Sequence, residues 1–184
     1  MKNLAIAAAC AALATAACTG LASGGTIVTL GSSGDFATIS GTSIRCARVT
    51  PAGLTCVLWR NNNPVPNSYG FNFRDGQLTV ARFNTPGGTV AWASPKLPKL
   101  NNRPFAGPSV SRVTVKVGDR FRVGGTHVLC DVETYSELGK VVVCALVERG
   151  GIPIGSPGVV LGSHVIMVKS AAGSKSKVLF KKTF

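Results

Sequence analysis

Two short apolar arms, each carrying one cysteine and joined by turn-forming residues, constrain this chain more than anything else in it, because the arrangement occurs twice. The first copy reads GTSIRCARVTPAGLTCVLW, with Cys46 and Cys56; the second reads GTHVLCDVETYSELGKVVVCALV, with Cys130 and Cys144. β-Branched arms around a turn form a hairpin, and a cysteine on each arm can staple it. These cysteines admit three pairings, and the repetition favours Cys46 with Cys56 and Cys130 with Cys144. Closing a loop of this size contributes on the order of 3 kcal/mol, a large share of a small domain's stability.

The repeat extends well beyond the hairpins. Laid over itself at a shift of 84 residues, the chain puts Gly34-Asp35 on Gly118-Asp119, Gly41-Thr42 on Gly125-Thr126, Ile44 on Val128 and Cys46 on Cys130. Past the hairpin loop the shift becomes 88, and Cys56 meets Cys144, Ser68 and Gly70 meet Ser156 and Gly158, and Val80 meets Val168. One change of offset, placed in a loop, keeps cysteines, glycines and apolar alternation in step, as an internal duplication would. The plan that follows is a β unit over 26–93, a Pro-rich basic linker over 94–112 and a second β unit over 113–184.

Within each unit the pattern predicts about seven short strands. VTVKV at 113–117 alternates apolar and polar residues, as a strand with one wet face does. The arm at 141–147 is apolar nearly throughout, which implies burial on both faces. Strands are also expected around FRV, HVLC, HVIMV and KVLF, while NNNPVPNSYG and ERGGIPIGSPG read as loops. No window has a helical period, and 22 glycines and 10 prolines argue the same way. The expected fold is all-β: two duplicated small β-barrel or sandwich units, each with an intra-hairpin disulfide. The linker either separates them or drapes over a single domain.

Residues 1–17 have one basic residue, Lys2, followed by an uncharged apolar run and small residues, the plan of a signal peptide. Two cut sites compete. Ala14-Thr15-Ala16 suits signal peptidase, whereas Ala16-Ala17-Cys18 resembles a lipoprotein site and would put a lipid on Cys18, with Thr15 where such sites carry an aliphatic residue. Cys10 falls inside the signal, leaving an even number of cysteines for an exported, oxidised protein. No later run is long enough to cross a membrane as a helix, so the expected location is extracellular or the cell envelope. The succession of GD, GT, two cysteines, a Ser-Tyr-Gly or Ser-Pro-Gly turn and a V-x-V strand resembles uncharacterised exported proteins of high-GC Gram-positive bacteria. That resemblance covers nearly the whole mature chain and implies export and a repeated β module, with no activity attached.

Catalytic chemistry needs convergent titratable groups, and the chain has two histidines and seven acids. His127 lies three residues before Cys130, but with that cysteine oxidised too few ligands remain for zinc, and Ser43 holds its place in the first unit. His164 falls on Gly76, no GxSxG elbow is present, and GGIPIGSPG lacks the Lys-Ser/Thr of a phosphate loop. Asp35 and Asp119 recur at equivalent places; a calcium ligand and a turn cap both fit, and the Gly-Asp context favours the cap. The sequence therefore assigns no catalytic group, no metal and no cofactor, and reads as a non-enzyme.

What remains is charge: 20 basic against 7 acidic residues, net +13. Arg45, Arg48, Arg60, Arg74 and Arg82 in the first unit, with Lys96, Lys99 and Arg103 in the linker, are the candidate anion-binding residues; Lys175, Lys177, Lys181 and Lys182 add charge at the end. Such a surface suits anionic cell-wall polymers, lipid headgroups or extracellular nucleic acid, or serves solubility alone. Trp59, Tyr69, Phe71, Phe73 and Trp92 stack on sugars or bases if exposed, though aromatics in apolar strands are more often core. The leading expectation is a binding protein for an anionic surface or polymer. The alternative is an inhibitor or adhesin that contacts another protein through the loops 61–68 and 148–157.

Overall fold

Runs of β-branched residues broken by Gly, Asn and Asp make strands too short to hide an apolar face alone, so they must pair and then stack. The computed structural model describes residues 25–50, 53–83, 88–97, 100, 104–148, 156–170 and 176–184, and within them every regular element is a strand. The expected signal at 1–17, Cys10, Cys18, Lys99, Arg103 and Lys175 lie outside the described residues. The first half supplies β1 (Ile27–Leu30), β2 (Phe36–Ile39), β3 (Ile44–Val49), β4 (Gly53–Arg60), β5 (Asn63–Pro64), β6 (Tyr69–Arg74), β7 (Gln77–Phe83) and β8 (Gly88–Ala93). The second supplies β9 (Arg112–Val115), β10 (Arg120–Val123), β11 (Val128–Tyr135), β12 (Gly139–Leu146), β13 (Gly158–Gly162), β14 (Val165–Lys169) and β15 (Val178–Thr183).

These strands form two sheets. Sheet 1 runs β8-β7-β6-β4-β3-β2-β9, with β5 paired to β4; sheet 2 runs β1-β10-β11-β12-β13-β14-β15. Neighbours are antiparallel except at one end of each sheet, where β1 lies parallel to β10 and β9 parallel to β2. The halves have thus exchanged their first strands: Ile27 pairs with Arg120, and Arg112 with Phe36. The sheets cross the boundaries 26–93 and 113–184 expected from the sequence. Both sheets contribute to one core, in which Leu30, Ile44 and Phe71 cluster with Val115, Phe121 and Leu161. Both are open, ending on strands rather than closing into barrels, so the sandwich form of the expected fold is the one adopted.

Several turn hydrogen bonds recur in the two halves. Gly34 donates its N–H to the Arg48 carbonyl at 3.0 Å, and Gly118 donates to that of Val132 at 2.9 Å. Thr42 and Thr126 each donate a hydroxyl to the carbonyl three residues back and accept the N–H two residues on. The glycines before them, Gly41 and Gly125, have φ of 71° and 76°, a region costly for any other residue. Asp35 and Asp119 are both buried. Asp35 accepts the N–H groups of Gly31 and Ser32, while Asp119 accepts those of Lys116 and Thr26. These carboxylates are turn caps, and through Thr26 the second of them also anchors the start of β1.

Each disulfide joins directly opposed residues of one hairpin, Cys46 with Cys56 and Cys130 with Cys144, at Cα separations of 4.0 and 4.1 Å. All four cysteines are fully buried in the shared core. The β12 run is buried on both faces, as its composition implies: Val142 and Cys144 join that core, while Val141 and Val143 join a smaller cluster with Val160 and Met167.

Replacing Cys46 and Cys56 together by alanine is expected to lower unfolding free energy by about 2–4 kcal/mol, read from the urea midpoint. Because the sulfurs are buried, a reductant should break neither bridge until the protein unfolds. Cutting the chain once between Leu97 and Pro104 should leave the halves together on gel filtration, since each holds a strand of the other's sheet; separation without denaturant would contradict the exchange.

Candidate functional site

Period-two alternation decides which residues leave the core. In β3, Ile44 and Cys46 point inward, which sends Arg45 to the outer face of sheet 1; in β2, buried Ala37 and Ile39 send Phe36 there. Register then lines up a row across four strands: Arg112 opposite Phe36, with Arg45 and Trp59 on the next two strands. The Arg45 guanidinium lies 3.5 Å from the Phe36 ring centroid and 5.0 Å from that of Trp59, and Arg112 lies 5.7 Å from the same Phe36 ring. Stacking on a ring holds each planar group in place and leaves its N–H fork free for an anion. Arg112 reaches the row only because β9 has crossed from the second half.

Nothing on this sheet neutralises the row. The strands of sheet 1 carry six arginines, Arg45, Arg48, Arg60, Arg74, Arg82 and Arg112, with neither lysine nor carboxylate. Partial burial, and then the charge of Arg112, hold the Arg45 pKa below its ordinary value. The two cations therefore repel each other. Among the described residues the ion pairs are Arg74 with Asp75 and Arg120 with Asp131.

The other predicted anion-binding residues go elsewhere. Arg48 turns to the opposite half and donates Nε–H to the Gly124 carbonyl at 3.2 Å. Arg74 is held 3.2 Å from Asp75, Arg82 donates to the Asn67 side-chain oxygen, and Arg60 and Lys96 stand exposed away from the row. Of the aromatics, Phe71 and Phe73 are core, Tyr69 and Trp92 pack against it, and Trp59 alone joins the arginines. Sequence reasoning missed Phe36 and Arg112; the available signal was their phase in short alternating strands, which gives the face but not the neighbour.

At the matching places on sheet 2, Ile27 replaces Arg112, Arg120 replaces Phe36, Leu129 replaces Arg45 and Val147 replaces Trp59, so no second row exists there. That face carries carboxylates instead. Asp131 sits 3.7 Å from Arg120, yet burial outweighs this cation and, with Glu133 adding to it, pushes the Asp131 pKa up to about 7. Burial raises that of Glu133 as well.

His127 lines a cleft of about 400 Å³ between the β6–β7 turn and the start of β11, with Phe73, Arg74, Gln77, Leu97 and Leu146. His164 is exposed. Among the described residues no three His, Cys, Asp or Glu side chains gather as a metal site would require. Compared with known proteins, the chain matches no family model, no curated protein and no solved structure.

The raised Asp131 pKa has a definite sign. The native state keeps a proton that the unfolded chain releases above the ordinary aspartate value of 3.8, so stability should fall as pH rises from about 4 to about 7. Asp131→Asn should flatten that slope in urea midpoints taken across the range. An unchanged slope would show that another group carries it.

Proposed function

We propose that this is a non-enzymatic exported β protein, secreted or held at the cell envelope, that binds an anionic polymer or surface through the outer face of sheet 1. The observation that carries the reading is the pair Arg45 and Arg112 on the two sides of Phe36, with no carboxylate anywhere on the strands of that sheet. Guanidinium groups bind phosphate, sulfate and carboxylate through paired N–H donors, and Trp59 beside them offers a ring on which a sugar or base stacks. A net charge of +13 draws a polyanion from a distance, and the arginine row gives it a place to settle.

Export belongs to the same reading. The apolar stretch at 1–17 serves as the signal, and the two buried disulfides suit an oxidising compartment. The halves are copies of one module: turns in both keep equivalent hydrogen bonds, and only sheet 1 has the arginine row.

Immobilised dextran sulfate and polyphosphate test the binding directly. Retention should weaken steeply as salt rises, and Arg45→Ala with Arg112→Ala should reduce the log–log salt slope by about one per arginine. Arg60→Ala with Lys96→Ala removes as much charge away from the row and should cost clearly less. Arg45→Lys should recover part of the loss, since it keeps the charge without the planar stack. Retention indifferent to salt, or to the Arg45 and Arg112 pair, would refute the proposal.

A further inference from the structure

Sheet 1 ends on β8 and sheet 2 on β15, and among the described residues no strand pairs with the outer side of either. These edges lie at the same end of the sandwich, bridged by the rings of Trp92 and Phe180 at 6.5 Å. They occupy equivalent places in the two halves but differ in character. β15 carries Lys181 and Lys182, the kind of charged guard that keeps an edge from pairing with another chain. β8 reads GTVAWA: it has no charge and no proline, five of its six residues are exposed, and Val90 is 62% exposed.

Two further features say what such an edge would take. The four strands at this end, β7, β8, β14 and β15, contain Arg82, Lys169, Lys181 and Lys182 and no carboxylate. Beside those cations stand exposed apolar side chains, Val90 on β8 with Val178 and Leu179 on β15. A lipid surface would suit the cations and the apolar groups, but it cannot hydrogen-bond the free N–H and C=O groups of β8, which cost several kcal/mol each in an apolar medium. A second copy could bond them, but it brings another net charge of +13. An extended polypeptide with acidic residues meets all three demands.

We propose that β8 is a docking edge for an extended acidic segment of another protein, which adds to sheet 1 as a further antiparallel or parallel strand. Backbone bonds to β8 would hold it. One row of its side chains would lie on the side of Val90 and the other toward β15 and its lysines. This surface is separate from the arginine row and stands or falls independently of it.

The test uses the full protein and a synthetic probe, acetyl-(Glu-Val)4-amide. Saturable binding is expected, with slowed amide exchange concentrated on β8, Gly88–Ala93. N-methylation of alternate probe residues removes donors and should weaken binding by at least about tenfold, as should Val90→Glu, which places a repelling charge on an already exposed position. Arg45→Ala with Arg112→Ala should leave it unchanged. Four results would overturn the proposal: no saturation, equal binding of the methylated probe, protection on the arginine row instead of β8, or self-association of the unliganded protein that Val90→Glu abolishes. The last would assign the edge to a second copy.

Discussion

Parallel pairing of two four-residue strands, each with the far half of the chain, is the constraint on which the rest of this molecule depends. β1 and β9 are too short to stand alone, and among the described residues each has one strand neighbour far along the chain, as Ile27 has in Arg120 and Arg112 in Phe36. Their inward residues, Leu30 and Val115, enter the common core. Each half thereby completes the other's sheet, and what the sequence repeats as two units becomes one hydrophobic interior. Loop closure over such distances slows folding, whereas the cystines close short loops, with sequence separations of 10 and 14.

The same exchange builds the arginine row. Without β9, Phe36 would lie on an edge with Arg45 on one side only; with it, a second guanidinium from the other half lies within 5.7 Å of the ring. A contact that stabilises the fold thus also sets the separation of two like charges. Partly buried cations without counter-ions are an electrostatic cost to the folded state, and that cost is what an anionic ligand would remove.

Local features of this fold were legible in the sequence and non-local ones were not. The stapled hairpins, the Asp caps and the doubly buried arm at 141–147 follow from spacing, turn chemistry and apolar runs, all of which act within a few residues. The exchange could not be read, because IVTL and RVTV state that they are strands but not whose. β13 escaped for another reason: GVVLG is buried at every position, so it shows no alternation, and its bounding glycines resemble the loop before it. The arginine row was half legible. Arg45 and Trp59 stand out by type, but Trp59 differs from Phe71 only in strand phase and register, and Arg112 looks like the end of a linker until β9 is seen beside β2.

Where the halves agree and where they differ divides along physical lines. Agreement falls on residues the backbone demands: glycines at positive φ, the capping Asp, the Thr of the following turn and the paired cysteines. The outer faces answer to no such demand, and there the halves part. The strands of sheet 1 are basic by arginine alone, while those of sheet 2 mix Arg120, Arg122, Lys140, Lys169, Lys181 and Lys182 with Asp131 and Glu133. β8 and the arginine row lie at opposite ends of the strand order of sheet 1, so an anionic ligand and a docked strand would not compete for the same place.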